Sequence, residues 1–204
     1  MKIKTITCHE VYNHGASLQE YALLKFLENH GHETETIHYK PDYLSNHFNF
    51  WRISNPRYEK NIVLKVLYLL AKFPFRYKML KRKKSFDAFS KKHIKSSEKL
   101  YKTNEDLKLD LPKADAYICG SDQIWNSFFK NGKDPAFYLD FAPENSLKIS
   151  YAASFAIDKL ENNIKQFVKE KISRLNHISV RESSGKDIIK NLGIRNDITH
   201  VLDP

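Results

Sequence analysis

The stretch Lys2–Tyr39 fixes more about the fold than any other part of the chain. Lys2 to Cys8 alternate polar and apolar, and Ile3, Thr5 and Ile6 favour extended backbone. Asn13, His14 and Gly15 break the alternation, and a helix is predicted from about Ala16 to His30. Ser17, Glu20, Lys25 and Glu28 share one side of it, while Leu18, Tyr21, Ala22, Leu23 and Leu27 cover most of the rest. So wide an apolar surface suits a helix packed on a sheet. Gly31 supplies a left-handed stop. Glu33 to Tyr39 reads as a second strand, ended by Pro41. Strand, helix and strand in so short a span are the signature of a βαβ unit.

The rest of the chain continues the pattern. Asp42 to Pro56 is irregular and aromatic. Asn61 to Phe73 reads as an apolar helix that Pro74 interrupts, followed by a basic helical stretch to about His93. A third strand is predicted at Ala114–Cys119 and a long structured loop at Ser121–Pro143. A fourth strand follows at Lys148–Ala153, then a helix over Asp158–Leu175 and a short strand at His177–Arg181. Ser183–Asn191 is a helix closed by Gly193, and His200–Leu202 begins another strand. The predicted fold is α/β: a Rossmann-like, doubly wound, mostly parallel sheet. Such sheets bind ligands beyond the carboxyl ends of their strands. That rule selects the loops after Cys8, Cys119, Ala153 and Val180.

The first loop, Asn13-His14-Gly15-Ala16-Ser17-Leu18-Gln19, turns into a helix whose free N–H groups attract anions, and Gly15 permits close approach of a ligand. An ordinary strand-to-helix turn has the same composition. The second, Gly120-Ser121-Asp122-Gln123-Ile124-Trp125-Asn126, concentrates polar groups just past a strand. Ser121 or Asp122 can cap a turn, or hold a hydroxyl or a catalytic water. Trp125 can stack on a sugar or pack under the loop. The third, Ser150 to Ala156, is small enough for close approach by a ligand or by a packed helix. In the fourth, Arg181 at a strand end, followed by Glu182 and Ser183, makes either a carboxylate or phosphate clamp or a surface ion pair.

Composition removes other classes. The 204 residues are 41% hydrophobic, enough for a proper core. Two cysteines, Cys8 and Cys119, make no disulfide framework, and Met1–Thr5 has no apolar signal core, so a cytoplasmic location is expected. The nine histidines show no metal-binding spacing, and no structural zinc is predicted. His9 and His14 flank the first loop, where a solvated role is preferred to that of a general acid. A net charge of +10 favours anionic partners. No nucleic-acid-binding motif accompanies it. The apolar run Ile62–Phe75 is too short to span a bilayer. With the basic residues Arg76 to Lys95 it can rest on an anionic membrane surface. The preferred alternative is a core helix followed by a solvated basic face.

Taken together the chain resembles the polysaccharide pyruvyl transferase family. The matching blocks are Asn13 to Leu23, Gly120 to Asn126, Phe137-Tyr138-Leu139-Asp140-Phe141, Ile149 to Phe155, Ile178 to Glu182 and Val201-Leu202-Asp203-Pro204. The resemblance implies a two-domain architecture like that of GT-B glycosyltransferases. Residues 1–204 form the amino-terminal domain, with a helical basic insertion at about 57–95 and the second domain absent. It implies transfer of a pyruvyl group from phosphoenolpyruvate to a sugar or lipid-linked glycan, as a ketal, in cell-surface polysaccharide assembly. No metal or cofactor is implied. Arg181 matches an arginine expected to bind the donor's phosphate or carboxylate, and Asp122 is the candidate catalytic group that polarises the acceptor hydroxyl. Asn13, Gly15, Gln19, Ser121, Gln123, Trp125 and Ser154 complete the candidate binding set. There are departures. Ala156 stands where the family often has glycine, and the family's Arg-x-His motif is not found. The general acid is expected in a second half, and little activity is expected of this chain by itself. Two other functions remain open: a nucleotide-sugar glycosyltransferase on the same scaffold, and a non-catalytic, membrane-peripheral scaffold.

Overall fold

The computed structural model describes residues 1–44, 51–53 and 55–204. Part of the irregular stretch expected at Asp42–Pro56 lies outside the described residues. The chain folds as β1 (Lys2–Ile6), α1 (His14–Asn29), β2 (Glu33–Thr36), α2 (Ile62–His93), α3 (Asn104–Leu109) and β3 (Ala116–Asp122). There follow β4 (Leu147–Ala153), α4 (Asn162–Ile172), β5 (His177–Val180), α5 (Ser183–Asn191) and β6 (Thr199–His200). Six strands form one sheet in the order β2-β1-β3-β4-β5-β6, and every neighbouring pair is parallel.

Parallel strands are buried on both faces, and alternate residues of the central strands pack to opposite sides. Ile3 of β1 and Ala116 and Ile118 of β3 pack with Leu23 and Leu27 of α1. Ile6, Tyr117 and Cys119 belong to the larger core with Trp125, Phe137, Tyr138, Phe155 and the α4 residues Ile164, Val168 and Ile172. Phe137 and Phe155 have no exposed surface, and each contributes about 2 kcal/mol by burial. The sheet order reverses direction between β1 and β3. This is the switch point, at whose carboxyl edge sheets of this kind bind their ligands.

Several sequence-based expectations change. The helix predicted to break at Pro74 runs through it as part of α2. Proline removes the bond to the Leu70 carbonyl, at a place where both residues are exposed. Nor is Ile62–Phe75 a core helix: Ile62, Val63, Val66, Leu67 and Leu70 are all exposed, and only Phe86 and Ser90 of α2 are buried. The second strand stops at Thr36 because the following residues turn to the chain leaving α2, through bridges Thr36–Ser96 and Tyr39–Tyr101. β3 begins at Ala116, since the Asp115 carboxylate accepts the Lys2 N–H, and it continues to Asp122. Helix α4 starts at Asn162 and ends at Ile172, and β6 is Thr199–His200. The short α3, not predicted, starts from a capping box between Thr103 and Asp106. The long loop 121–143 is organised by 3-10 turns at Asn131–Lys133 and Pro135–Tyr138. No helix among the described residues is long and apolar enough to cross a membrane.

Candidate functional site

The tips of β3, β4 and β5 are level: Asp122 pairs with Ala153, and Ala153 with Val180. Asp122, the last residue of β3, and Ser154 and Arg181, the residues just beyond β4 and β5, therefore share one edge of the sheet. β3 reaches this edge by pressing against β4. A Cβ on Gly120 would lie 2.2 Å from the Tyr151 carbonyl oxygen, and Gly120 has φ +113, a conformation open to glycine. Asp122 itself sits at φ 77, in the left-handed region that aspartate tolerates better than most residues. Its carbonyl accepts the N–H groups of Ile124 and Ser154, at 2.8 and 3.0 Å, which fixes the tip.

Burial pushes the Asp122 carboxyl above its ordinary range, and Asp203 adds to that shift. The Gln123 N–H and the Arg181 guanidinium act the other way. A half-buried carboxyl that holds its proton more tightly is a better base once ionised.

Arg181 is held on three sides. Its Nε donates to Glu182 Oε1 at 2.9 Å, Nη1 to Asp203 Oδ2 at 2.9 Å, and Nη2 to Ser154 Oγ at 3.0 Å. Ser154 Oγ in turn donates to Glu182 Oε1 at 2.6 Å. Three of the five guanidinium N–H donors are engaged, leaving two for a ligand. The other oxygen of Glu182, Oε2, is buried with no hydrogen-bond partner among the described residues. Glu182 and Asp203 were not among the predicted binding residues, although both lie in blocks that carried the resemblance. The Arg181–Glu182 pair weighed as a surface contact is a partly buried one that orients the guanidinium.

The predicted binding residues separate into two groups. Asn13 caps α1, its Oδ1 accepting the Gly15 N–H at 2.9 Å, and Asn13 and Gly15 are exposed. Gln123 is exposed at the tip, with Oε1 accepting from Asn126 Nδ2. Gln19 and Ser121 are buried beneath them. Gln19 Oε1 accepts both Ser121 N–H and Ser121 Oγ–H, at 3.1 and 2.7 Å, and Gln19 Nε2 donates to Thr7 Oγ1 and the Ala16 carbonyl. Thr7 Oγ1 donates to the Ser121 carbonyl at 3.0 Å. These bonds tie α1, β1 and β3 together at the switch point. Trp125 is fully buried. It stacks on Tyr138 with centroids 5.5 Å apart and donates its indole N–H to the Phe137 carbonyl, so it packs under the loop and offers no face to a sugar.

His9 is buried, where a solvated side chain was preferred. Its Nδ1 is 2.7 Å from Glu20 Oε1. Burial opposes its charge, but Glu20 and Glu10 outweigh burial and raise its pKa. His14 is exposed and packs on Phe86. His9, Glu10 and His38 bring potential metal-ligand atoms within 4.8 Å of one another, but the Lys40 ammonium sits on Glu10 at 2.5 Å and already supplies a positive charge there. Burial raises the thiols of Cys8 and Cys119, so neither offers a thiolate nucleophile. The first loop is also cationic. Arg82 donates to the Tyr12 carbonyl at 3.1 Å, and the ammonium groups of Lys83 and Lys40 lie 5.1 and 5.3 Å from the Tyr12 ring centre.

A carboxyl with a raised pKa and a braced arginine thus stand at the carboxyl edge of a parallel sheet, beside a cationic loop. Comparison with families of known proteins matches residues 13–204 to polysaccharide pyruvyl transferase. The chain belongs to the polysaccharide pyruvyl transferase family. No curated protein and no solved structure matches it. Membership implies a transferase with a polysaccharide acceptor. The span matched to the pyruvyl transferase family takes in every strand tip beyond β1, including Asp122, Ser154 and Arg181.

Proposed function

We propose that the protein moves a pyruvyl group from phosphoenolpyruvate to a sugar or lipid-linked glycan, as a ketal, during cell-surface polysaccharide assembly in the cytoplasm. The observation that carries this is the placing of Asp122 and Arg181 on one edge of the sheet, through the register of Asp122 with Ala153 and of Ala153 with Val180. In this reading Arg181 turns its two remaining donors to the phosphate or carboxylate of the donor, with Glu182 and Ser154 fixing its plane. A general acid outside this rim gives its proton to the methylene carbon of the enol, which creates an oxocarbenium-like centre. Asp122 accepts the proton of the sugar hydroxyl that attacks this centre, and a second hydroxyl then replaces phosphate to close the ketal, its proton leaving on the departing phosphate. Asn13, Gly15 and Gln123 line the entrance, while Gln19 and Ser121 hold the two halves of the rim in register. A second Rossmann-like domain facing this rim would close the site, as in GT-B enzymes.

Calorimetric titration separates this from transfer of a nucleotide-sugar. Phosphoenolpyruvate is expected to bind and UDP-sugars are not. Arg181→Ala is expected to abolish that binding, while Asp122→Asn keeps it and lowers turnover of the transferase by about a hundredfold or more. Binding of UDP-sugars with no binding of phosphoenolpyruvate would assign the rim to a glycosyltransferase.

A further inference from the structure

Helix α2 carries a second surface, distinct from the rim. Ile62, Val66, Leu70, Phe73 and Tyr77 follow one another at intervals of four, four, three and four residues, which places them along one side of the helix. All five are exposed, with 72% of Ile62, 63% of Leu70 and 67% of Tyr77 open to solvent. Val63 and Leu67 widen the stripe and are exposed too. The same spacing continues into Lys81 and Lys84, and Lys78 flanks them; all three are exposed. Arg82 and Lys83 differ, because they are turned to the first loop at Tyr12. From Ile62 to Lys84 the stripe is about 33 Å long. Between Glu59 and Asp87 there is no acidic residue, against nine Lys and Arg.

A soluble protein rarely leaves so many large apolar side chains together in water. The charge pattern decides what covers them. A second copy packed antiparallel would lay Lys81 and Lys84 on its partner's Ile62 and Val66, with no acid to receive them. Packed parallel, it would set those lysines against themselves. Both arrangements bury unpaired cations. An anionic bilayer satisfies both parts of the stripe at once: the aliphatic side chains enter the acyl boundary and the ammonium groups meet phosphate headgroups. The helix lies on such a surface, since nothing among the described residues is long and apolar enough to cross it. We infer that α2 docks the protein on an anionic phospholipid surface through the stripe Ile62–Tyr77 and Lys78, Lys81 and Lys84. Because Arg82 ties α2 to the first loop, docking also brings the rim to the place where a lipid-linked substrate resides.

Vesicle sedimentation tests this. The chain is expected to pellet with vesicles of phosphatidylcholine and phosphatidylglycerol, to remain in solution with phosphatidylcholine alone, and to release as salt rises. The combined variant Lys78→Ala, Lys81→Ala, Lys84→Ala is expected to bind about a hundredfold more weakly, as for three cations at an anionic surface. The combined variant Ile62→Ser, Val66→Ser, Leu70→Ser is expected to lose about tenfold or more. Both leave the core untouched, so their thermal melts should match the parent. No sedimentation with anionic vesicles would overturn the inference, as would sedimentation unaffected by the serine variant. So would a self-associated dimer that the serine variant dissociates, or stabilisation by inorganic phosphate without vesicle binding.

Discussion

The raised pKa of Asp122 has a consequence for stability as well as for chemistry. In the unfolded chain this carboxyl releases its proton at the usual carboxylate pH, whereas in the fold burial holds the proton to higher pH. Between those two values the folded chain binds more protons than the unfolded one, so stability falls as pH rises. The cost is absent below the unfolded pKa and complete above the folded one. Asp122→Asn removes it. That variant should unfold at higher urea than the parent at neutral pH, with the advantage vanishing in acid; an advantage that grew in acid would contradict the assignment. Gly120→Ala tests the neighbouring constraint. The added methyl meets the Tyr151 carbonyl and the residue is held at φ +113, so a loss of about 3 kcal/mol in a urea titration is expected. The places of Asp122 and Arg181 were legible in the sequence because both fall at or near the end of an apolar strand. The burial of Trp125 was not, since an indole after a polar block has the same sequence signature whether it faces a sugar or Tyr138.

At the scale of elements, Asp140 joins the loop after β3 to two helices. Its nearly buried carboxylate receives Lys108 at 2.6 Å, Arg174 at 2.7 Å, Lys171 at 2.9 Å and Asn104 at 3.1 Å. Burial works against the charge, but Lys108, Lys171 and Asn104 outweigh it and hold the carboxyl well below the ordinary range. Its contribution is therefore present above the unfolded carboxylate pKa and lost as pH falls towards the folded one. Asp140→Asn should lower stability at neutral pH by about 2 kcal/mol, less than for a fully buried pair because Lys108 remains half in water. The difference should shrink in acid urea titrations. The first strand, α1 and α5 could be read from periodicity and stops alone. Helix α2 could not: its apolar run shows that a surface exists, and nothing local shows whether the sheet or something outside covers it. The six residues of α3 contain too little periodicity to register, although its capping box was there to be read.

Across the whole molecule, the backbones of the two wings of the sheet are joined where β1 pairs with β3, and Gln19 braces that seam. Gln19→Leu would leave the buried Ser121 N–H without its acceptor, a cost of about 2 kcal/mol. A single unfolding transition with unchanged urea dependence is expected; two separate transitions would show that the wings fold independently. The strand order was out of reach of the sequence, because short strands of similar composition do not declare their neighbours. That order bears on how the chain is made. β1 is complete within the first few residues to leave a ribosome, yet its inner neighbour lies 113 positions further on, as the contact between Lys2 and Asp115 records. All of α2, aliphatic stripe included, emerges before the centre of the sheet can form. During that interval the nascent chain displays an open strand edge beside an uncovered greasy helix, so its yield in a cell should depend on whether a chaperone or a lipid surface meets it first.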